Sequence, residues 1–138
     1  MTSWSFPLAG GDFGHGGAAS RALKEIVKGV GADEARLIRR LMVAAYEAEM
    51  NVIIHARRGV MEAWIGPDAV TVEVRDEGPG IADLELAQRP GFSTAPPAAR
   101  ALGFGAGLGL PNIKKNSDEF EIASTVGQGT TLRYFVRL

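Results

Sequence analysis

Glu47, Asn51 and His55 are spaced four residues apart, which places three polar side chains along one face of a helix. The amide oxygen of Asn51 is a ligand type that Mg²⁺ accepts, and a carboxylate at Glu47 can orient a nucleophile. Glu49 falls on nearly the opposite face. Because glutamate and asparagine are common on helix surfaces, a solvated polar stripe is the alternative interpretation.

A second candidate site, residues 76–80, follows an apolar run at 69–74 that is typical of a strand. Asp76 is followed by backbone without side chains at Gly78 and Gly80. An aspartate oxygen accepts a hydrogen bond from the exocyclic amine of adenine, whereas guanine presents an acceptor there. The pattern therefore predicts an adenine contact at Asp76, and an ordinary turn after a strand is the alternative.

A third candidate site is the glycine-rich run at 103–109, which precedes a predicted short helix. The free N–H groups and the dipole of a helix start favour an anion, so the run predicts phosphate binding. It lacks the Gly-Lys-Ser/Thr ending of a Walker loop and the spacing of a dinucleotide fingerprint. A flexible linker is the alternative. The predicted phosphate-binding residues are Gly103, Gly105, Gly107, Leu108 and Gly109.

Hydrophobic periodicity predicts the elements that position these motifs. Helical spacing covers 18–30 and then 33–59, with Asp33 as the N-cap, and shorter helices are expected at 82–88 and 110–116. Alternating patterns predict strands at 4–8, 60–65, 69–74, 120–122 and 132–136. Residues 82–106 are expected to form a mobile lid over the nucleotide. The whole chain, 1–138, is predicted to be one α+β domain, a two-layer sandwich with helices on one sheet face.

Composition narrows the classes of partner. The formal charge is −1, so there is no basic excess of the kind that nucleic-acid or anionic membrane binding requires. The absence of cysteine excludes disulfides and thiolate metal sites. No stretch has the length of a membrane span, and the first 17 residues have no secretory pattern. We therefore expect a cytoplasmic protein that binds proteins or small molecules.

The order of these motifs resembles the ATPase superfamily of gyrase, Hsp-type chaperones, sensor histidine kinases and mismatch-repair proteins, which has the Bergerat fold. Within it, residues 46–56 and 104–112 resemble the small bacterial anti-sigma regulatory kinases of partner-switching systems. The resemblance implies a mixed sheet backed by helices. It also implies roles for individual residues: Glu47 as catalytic base, Asn51 as Mg²⁺ ligand, Asp76 as adenine contact, Gly78 and Gly80 beside the base, Gly105, Gly107 and Gly109 at the phosphates, and Thr130 beside Asp76.

Members of that family phosphorylate a serine or threonine of an antagonist protein with a STAS domain, using Mg²⁺ and ATP. Some members also bind a sigma factor, and many form homodimers. A nucleotide-dependent sequestering protein and an ATPase without a protein acceptor remain the alternative functions, because all three use the same pocket. Surface positions are the favoured interpretation for Arg100, Lys114 and Lys115, with phosphate contact as the alternative. His55 is expected to be structural, with a phosphorylated histidine as the alternative.

Overall fold

The computed structural model describes residues 2–89 and 109–138, which form one five-stranded sheet covered by helices. Its elements in chain order are strand β1 (Thr2–Ala9), a 3₁₀ turn (Phe13–His15), helix α1 (Ala18–Val27), helix α2 (Glu34–His55), strand β2 (Arg58–Ile65), strand β3 (Ala69–Glu77), helix α3 (Leu84–Ala87), helix α4 (Gly109–Lys115), strand β4 (Glu119–Thr125) and strand β5 (Gly129–Arg137). Each predicted helix and strand is present, with ends that differ by a few residues. The α+β fold class is confirmed.

The strand order is β1-β2-β3-β5-β4, and every pairing within the described residues is antiparallel. The prediction of a mixed sheet is therefore wrong. Two helices connect β1 to β2, as the sequence predicts, and the second helix reverses the direction of the first, so that β2 runs antiparallel to β1. Strands β3 and β4 run in the same direction, but β5 lies between them, so no parallel pair forms.

The two faces of the sheet differ sharply in chemistry, which fixes the two-layer arrangement. Side chains that alternate along β3 and β5, such as Val72 and Tyr134, are buried beneath α1, α2 and α4. The opposite face carries ion pairs. Arg75 pairs with Glu62 and Glu73, and Arg133 pairs with Glu73 at 2.9 Å. This outer face is a solvated surface, so the core and the candidate site lie on the helical side.

Helix α2 is the central element of the helical layer, and the sequence determines both of its ends. The Asp33 carboxylate accepts a hydrogen bond from the Arg36 N–H at 3.2 Å, as expected of an N-cap. After His55, Ala56 adopts an extended conformation, and the chain enters β2. Within residues 2–89 and 109–138, none of the helices has both the length and the apolar character needed to cross a bilayer.

Candidate functional site

Glu47 lies on the face of α2 that meets the start of α4. Its side chain is half-buried, and its Oε1 atom lies 3.4 Å from the side-chain amide nitrogen of Asn112. A Cβ atom added at Gly109 would lie 3.4 Å from Oε2 of Glu47. The fold therefore places the last glycine of the glycine-rich run directly against the carboxylate that the helical motif singles out. Asn51 lies one turn further along α2 and is also half-buried.

Asp76 lies near the end of β3, one residue beyond the last backbone pair between β3 and β5. At this point its side chain, instead of its backbone, bonds to β5. Its Oδ1 atom accepts a hydrogen bond from the backbone N–H of Thr130 at 3.1 Å. Burial raises the pKa of Asp76, and the Thr130 N–H offsets part of that rise by stabilising the ionised form. Thr130 is 7% exposed and lies beside Asp76. Among the described residues, no protein donor occupies Oδ2, which leaves that oxygen available to a ligand.

The loop at 78–80 packs against the hairpin between β4 and β5. The Gly78 N–H donates to the Gln128 carbonyl at 3.2 Å, and the Gly127 N–H donates to the Pro79 carbonyl at 2.8 Å. Gly80 has a φ of +74°, and a Cβ there would collide with the carbonyl oxygen of Thr125. Packing within the protein therefore requires glycine at position 80, and the predicted contact with a base stays a prediction.

Ala56 joins the two halves of the candidate site. A Cβ at Gly78 would lie 3.0 Å from Ala56, so the end of α2 touches the loop that follows Asp76. Ala56 is nine residues after Glu47, which corresponds to about 14 Å along a helix axis. The fold thus separates an Asp76 end of the candidate site from a Glu47 end, and the predicted contacts of the first with a base and of the second with a reacting phosphate stay predictions.

Glu49 is a buried residue that the sequence analysis did not select. It is 1% exposed, and its carboxylate accepts hydrogen bonds from the N–H groups of Gly17, Ala19 and Ser20 at 3.0 to 3.2 Å. The Ser20 hydroxyl donates a fourth bond at 2.7 Å. Glu49 therefore caps the N-terminus of α1 from inside the core. Its signal in the sequence is a carboxylate flanked by buried alanine and isoleucine one turn before and one turn after.

His55 ends α2, and its partial burial lowers the pKa of its imidazole. The neutral form is thereby favoured at physiological pH. Lys114 and Lys115 are exposed in the last turn of α4, at the opposite end of that helix from Gly109. Their position favours the surface interpretation. Five predicted positions lie outside the described residues: Arg100, Gly103, Gly105, Gly107 and Leu108.

A family profile described as the histidine kinase-like ATPase domain matches residues 12–135 of this chain. That match begins just after β1 and ends within β5, and it includes every described candidate residue. The chain belongs to the histidine kinase-like ATPase family. The confirmed α+β fold agrees with that assignment.

The chain is also similar to individual proteins of known name. The chain is 37% identical over 98 residues to an anti-sigma F factor of Thermoanaerobacter sp. (strain X514), an alignment that covers 67% of this chain and 65% of that protein. An anti-sigma F factor of Caldanaerobacter subterraneus is 38% identical with the same coverage. The serine/threonine-protein kinase RsbT of Bacillus subtilis is 32% identical, covering 68% of each chain. The chain thus spans just under two thirds of the length of the anti-sigma F factors that it matches.

Proposed function

We propose that this chain is a Mg²⁺- and ATP-dependent serine/threonine protein kinase that phosphorylates a STAS-type antagonist of an anti-sigma factor. The observation that carries the proposal is the half-buried Glu47 carboxylate, which faces the start of α4 one helical turn from Asn51. The similarity to a protein named serine/threonine-protein kinase RsbT supports the choice of a protein acceptor.

Each described residue has a distinct proposed role. Asp76 accepts a hydrogen bond from the adenine amine through Oδ2, because Oδ1 is bonded to Thr130. Gly78 and Gly80 form the loop beside the base, and Gly109 lies near the phosphates. Asn51 would hold Mg²⁺ through its amide oxygen, and the ion would supply charge stabilisation at the phosphates. The predicted phosphate contacts of Gly103, Gly105, Gly107 and Leu108 belong to the same proposal.

Glu47 accepts the proton of the acceptor hydroxyl in the proposed transfer. As the proton leaves, the serine or threonine oxygen bonds to the γ-phosphorus, and the bond from that phosphorus to the bridging oxygen breaks. The phosphorylated side chain and ADP are the products. A half-buried carboxylate suits this role, because it remains accessible while part of its surface is shielded from water.

The proposed setting is a single cytoplasmic domain, 1–138, with residues 82–106 as its lid. A homodimer is part of the proposal and is supported by the contrast between the two sheet edges. The outer strand β1 contains no charged residue, whereas the other edge strand, β4, carries Glu119 and Glu121. Charged side chains oppose pairing of β4 with a second strand, whereas in β1 only Pro7, which lacks an N–H, limits such pairing. Light scattering coupled to size exclusion would measure the mass in solution.

The first experiment incubates the purified chain with Mg²⁺, γ-labelled ATP and the STAS proteins of its own genome. Label is expected on a serine or threonine of one STAS protein. Glu47→Ala should abolish transfer while ATP binding persists. The exposed Glu121→Ala serves as a matched control that should transfer at the wild-type rate. Transfer retained by Glu47→Ala would remove Glu47 from the reaction.

A sequestering anti-sigma factor is the second candidate function, and the anti-sigma F factor names of several relatives favour it. In that case the chain's main output is binding a sigma factor, and phosphorylation serves only to release it. Nucleotide-dependent co-purification with a sigma factor, without label on any STAS protein, would support this function. Steady phosphate release without a protein acceptor would instead indicate an ATPase.

A further inference from the structure

Ser124, near the end of β4, has a hydroxyl that joins three separate groups of the candidate adenine end. Its oxygen accepts a hydrogen bond from the Ile81 N–H at 2.7 Å. It lies 2.8 Å from the hydroxyl oxygen of Thr130 and 3.1 Å from the carbonyl oxygen of Gly129, to which it can donate. This one side chain thus connects the loop after Asp76 with the start of β5.

The register of the sheet explains why the connection forms. Ser124 pairs directly with Thr130 across the β4–β5 ladder, so both side chains point to the helical side of the sheet. Thr130 in turn donates its backbone N–H to Asp76. Ile81 follows Gly80, the last residue of the Gly-Pro-Gly turn. The Ser124 hydroxyl therefore contacts Thr130, which is the bonding partner of Asp76, and Ile81, which is the residue after Gly80.

We infer that Ser124 is a positioning residue for adenine recognition, an inference that rests on the proposed ATP-binding function. A hydroxyl carries one proton, which Ser124 gives either to Gly129 or to Thr130. In both cases Ser124 occupies one of the three bonding positions of the Thr130 hydroxyl and so restricts the orientation of the other two. It also holds the Gly80–Ile81 backbone against β4. Loss of this hydroxyl frees both groups while leaving Asp76 itself in place.

The test measures ATP affinity by calorimetry, and kcat and KM by label transfer, in Ser124→Ala, Ser124→Thr and Ser117→Ala. Loss of one hydrogen-bonding hydroxyl should raise the ATP Kd and KM of Ser124→Ala about fivefold, with kcat unchanged. Ser124→Thr keeps the hydroxyl and should stay close to the wild-type protein. Ser117 donates to the Ile113 carbonyl at the far end of α4, so its alanine variant controls for loss of any serine hydroxyl.

Two further measurements separate positioning from general stability. If Ser124 acts through Thr130, the effects of Ser124→Ala and Thr130→Val on ATP affinity should be non-additive. The preference for ATP over a triphosphate of unsubstituted purine should also narrow in Ser124→Ala, because that analogue lacks the amine that Asp76 would bind. Should the alanine variant not fold, hydrogen exchange of the wild-type Ile81 amide replaces it, with slower exchange expected when ATP is added.

The outcomes distinguish this inference from the proposed function. Wild-type protein that binds ATP, with Ser124→Ala binding it equally well, overturns the inference alone. Equal losses in Ser124→Thr and Ser124→Ala, additive effects with Thr130→Val, or unchanged Ile81 exchange also overturn it. Wild-type protein that binds no ATP overturns the proposed function and this inference together.

Discussion

Helix α2 contributes one carboxylate to each of two junctions between helices, and the two carboxylates differ in burial and in hydrogen bonding. At the α1–α2 junction, Glu49 is 1% exposed and accepts four hydrogen bonds from the start of α1. At the α2–α4 junction, Glu47 is half-buried, and its contact within the described residues is a long one of 3.4 Å to Asn112. The two glutamates are two positions apart in the sequence, with only Ala48 between them.

The difference identifies which charge is structural and which is available for chemistry. A buried carboxylate is stable only when hydrogen-bond donors replace the water it has lost, and at Glu49 the protein supplies all of them. At Glu47, residues 2–89 and 109–138 supply only the Asn112 contact and leave most of the bonding capacity open. Since the residue type is the same, the neighbouring elements decide the role: α1 begins against Glu49, whereas the glycine-rich run ends against Glu47.

The largest expected effect comes from making the same substitution at both positions. Glu49→Gln should lower the free energy of unfolding by about 2–4 kcal/mol, because an NH₂ group then faces N–H donors and charge-assisted bonds are lost. Glu47→Gln should change it by less than about 0.5 kcal/mol. Urea denaturation followed by circular dichroism measures both. Equal losses would show that Glu47 is also structural and would remove the contrast.

Asp76 lies between these extremes, because the described part of the chain bonds one of its oxygens and leaves the other open. Asp76→Asn should weaken ATP binding by about tenfold or more, the value of a hydrogen bond to a charged group. Calorimetric titration with ATP measures this. Unchanged affinity would mean that the open oxygen does not contact the base.

The pH dependence of ATP binding is a second test of whether Asp76 contacts the base. Burial raises the pKa of Asp76 above that of an unfolded chain, so its ionised form is disfavoured in the free protein. The carboxylate becomes protonated at a higher pH than an ordinary aspartate, and ATP affinity should fall as the pH decreases through that raised pKa. The affinity of Asp76→Asn should lack this step. A wild-type acid profile that matches the asparagine variant would contradict the assignment.

Asp118 is a surface carboxylate whose two oxygens both accept hydrogen bonds. It tests whether such a carboxylate stabilises the fold as Glu49 does, but by a smaller free energy. Its two oxygens accept bonds from the Arg40 guanidinium at 3.1 Å and the Arg137 N–H at 2.7 Å. The Arg137 N–H, followed by Arg40, lowers the pKa of Asp118. Because the side chain is 24% exposed, Asp118→Asn should cost only about 1 kcal/mol at neutral pH.

The sign of the pH effect follows from that lowered pKa. The stabilisation by Asp118 is complete above the unfolded pKa and is lost as the pH falls through the folded pKa. The stability difference between wild type and Asp118→Asn should therefore shrink in acid. Denaturation curves at neutral and acidic pH measure it, and a difference that stays constant would contradict a role for the charge.

Periodicity and turn residues were sufficient to predict the helices, the strands and the order of the motifs. They could not predict that β5 lies between β3 and β4, because a period of two specifies a face and not a neighbour. The Asp76–Thr130 bond joins residues 54 positions apart, so only the resemblance suggested it.

The missed residues had weaker signals that are recognisable in the structure. Ser124 continues the inward alternation of Phe120 and Ile122 along β4, and a polar residue at an inward position indicates a bonded partner. Glu49 likewise occurs within the apolar face of α2. In both cases the signal was the position of a polar side chain within an apolar pattern, and the residue type alone was uninformative. The roles assigned to Gly103, Gly105, Gly107 and Leu108 stay predictions.

Tyr134 gives the smallest expected effect and the strictest test of whether an open polar group indicates a ligand. Its side chain is 1% exposed, and its hydroxyl has no hydrogen-bond partner within residues 2–89 and 109–138. Unlike Glu47, it lies in the apolar core, and burial raises the pKa of its hydroxyl. Tyr134→Phe removes an unpaired polar group and should raise the free energy of unfolding by up to about 1 kcal/mol, measured by urea denaturation. A loss of stability would instead mean that a partner outside those residues, or a buried water, satisfies the hydroxyl.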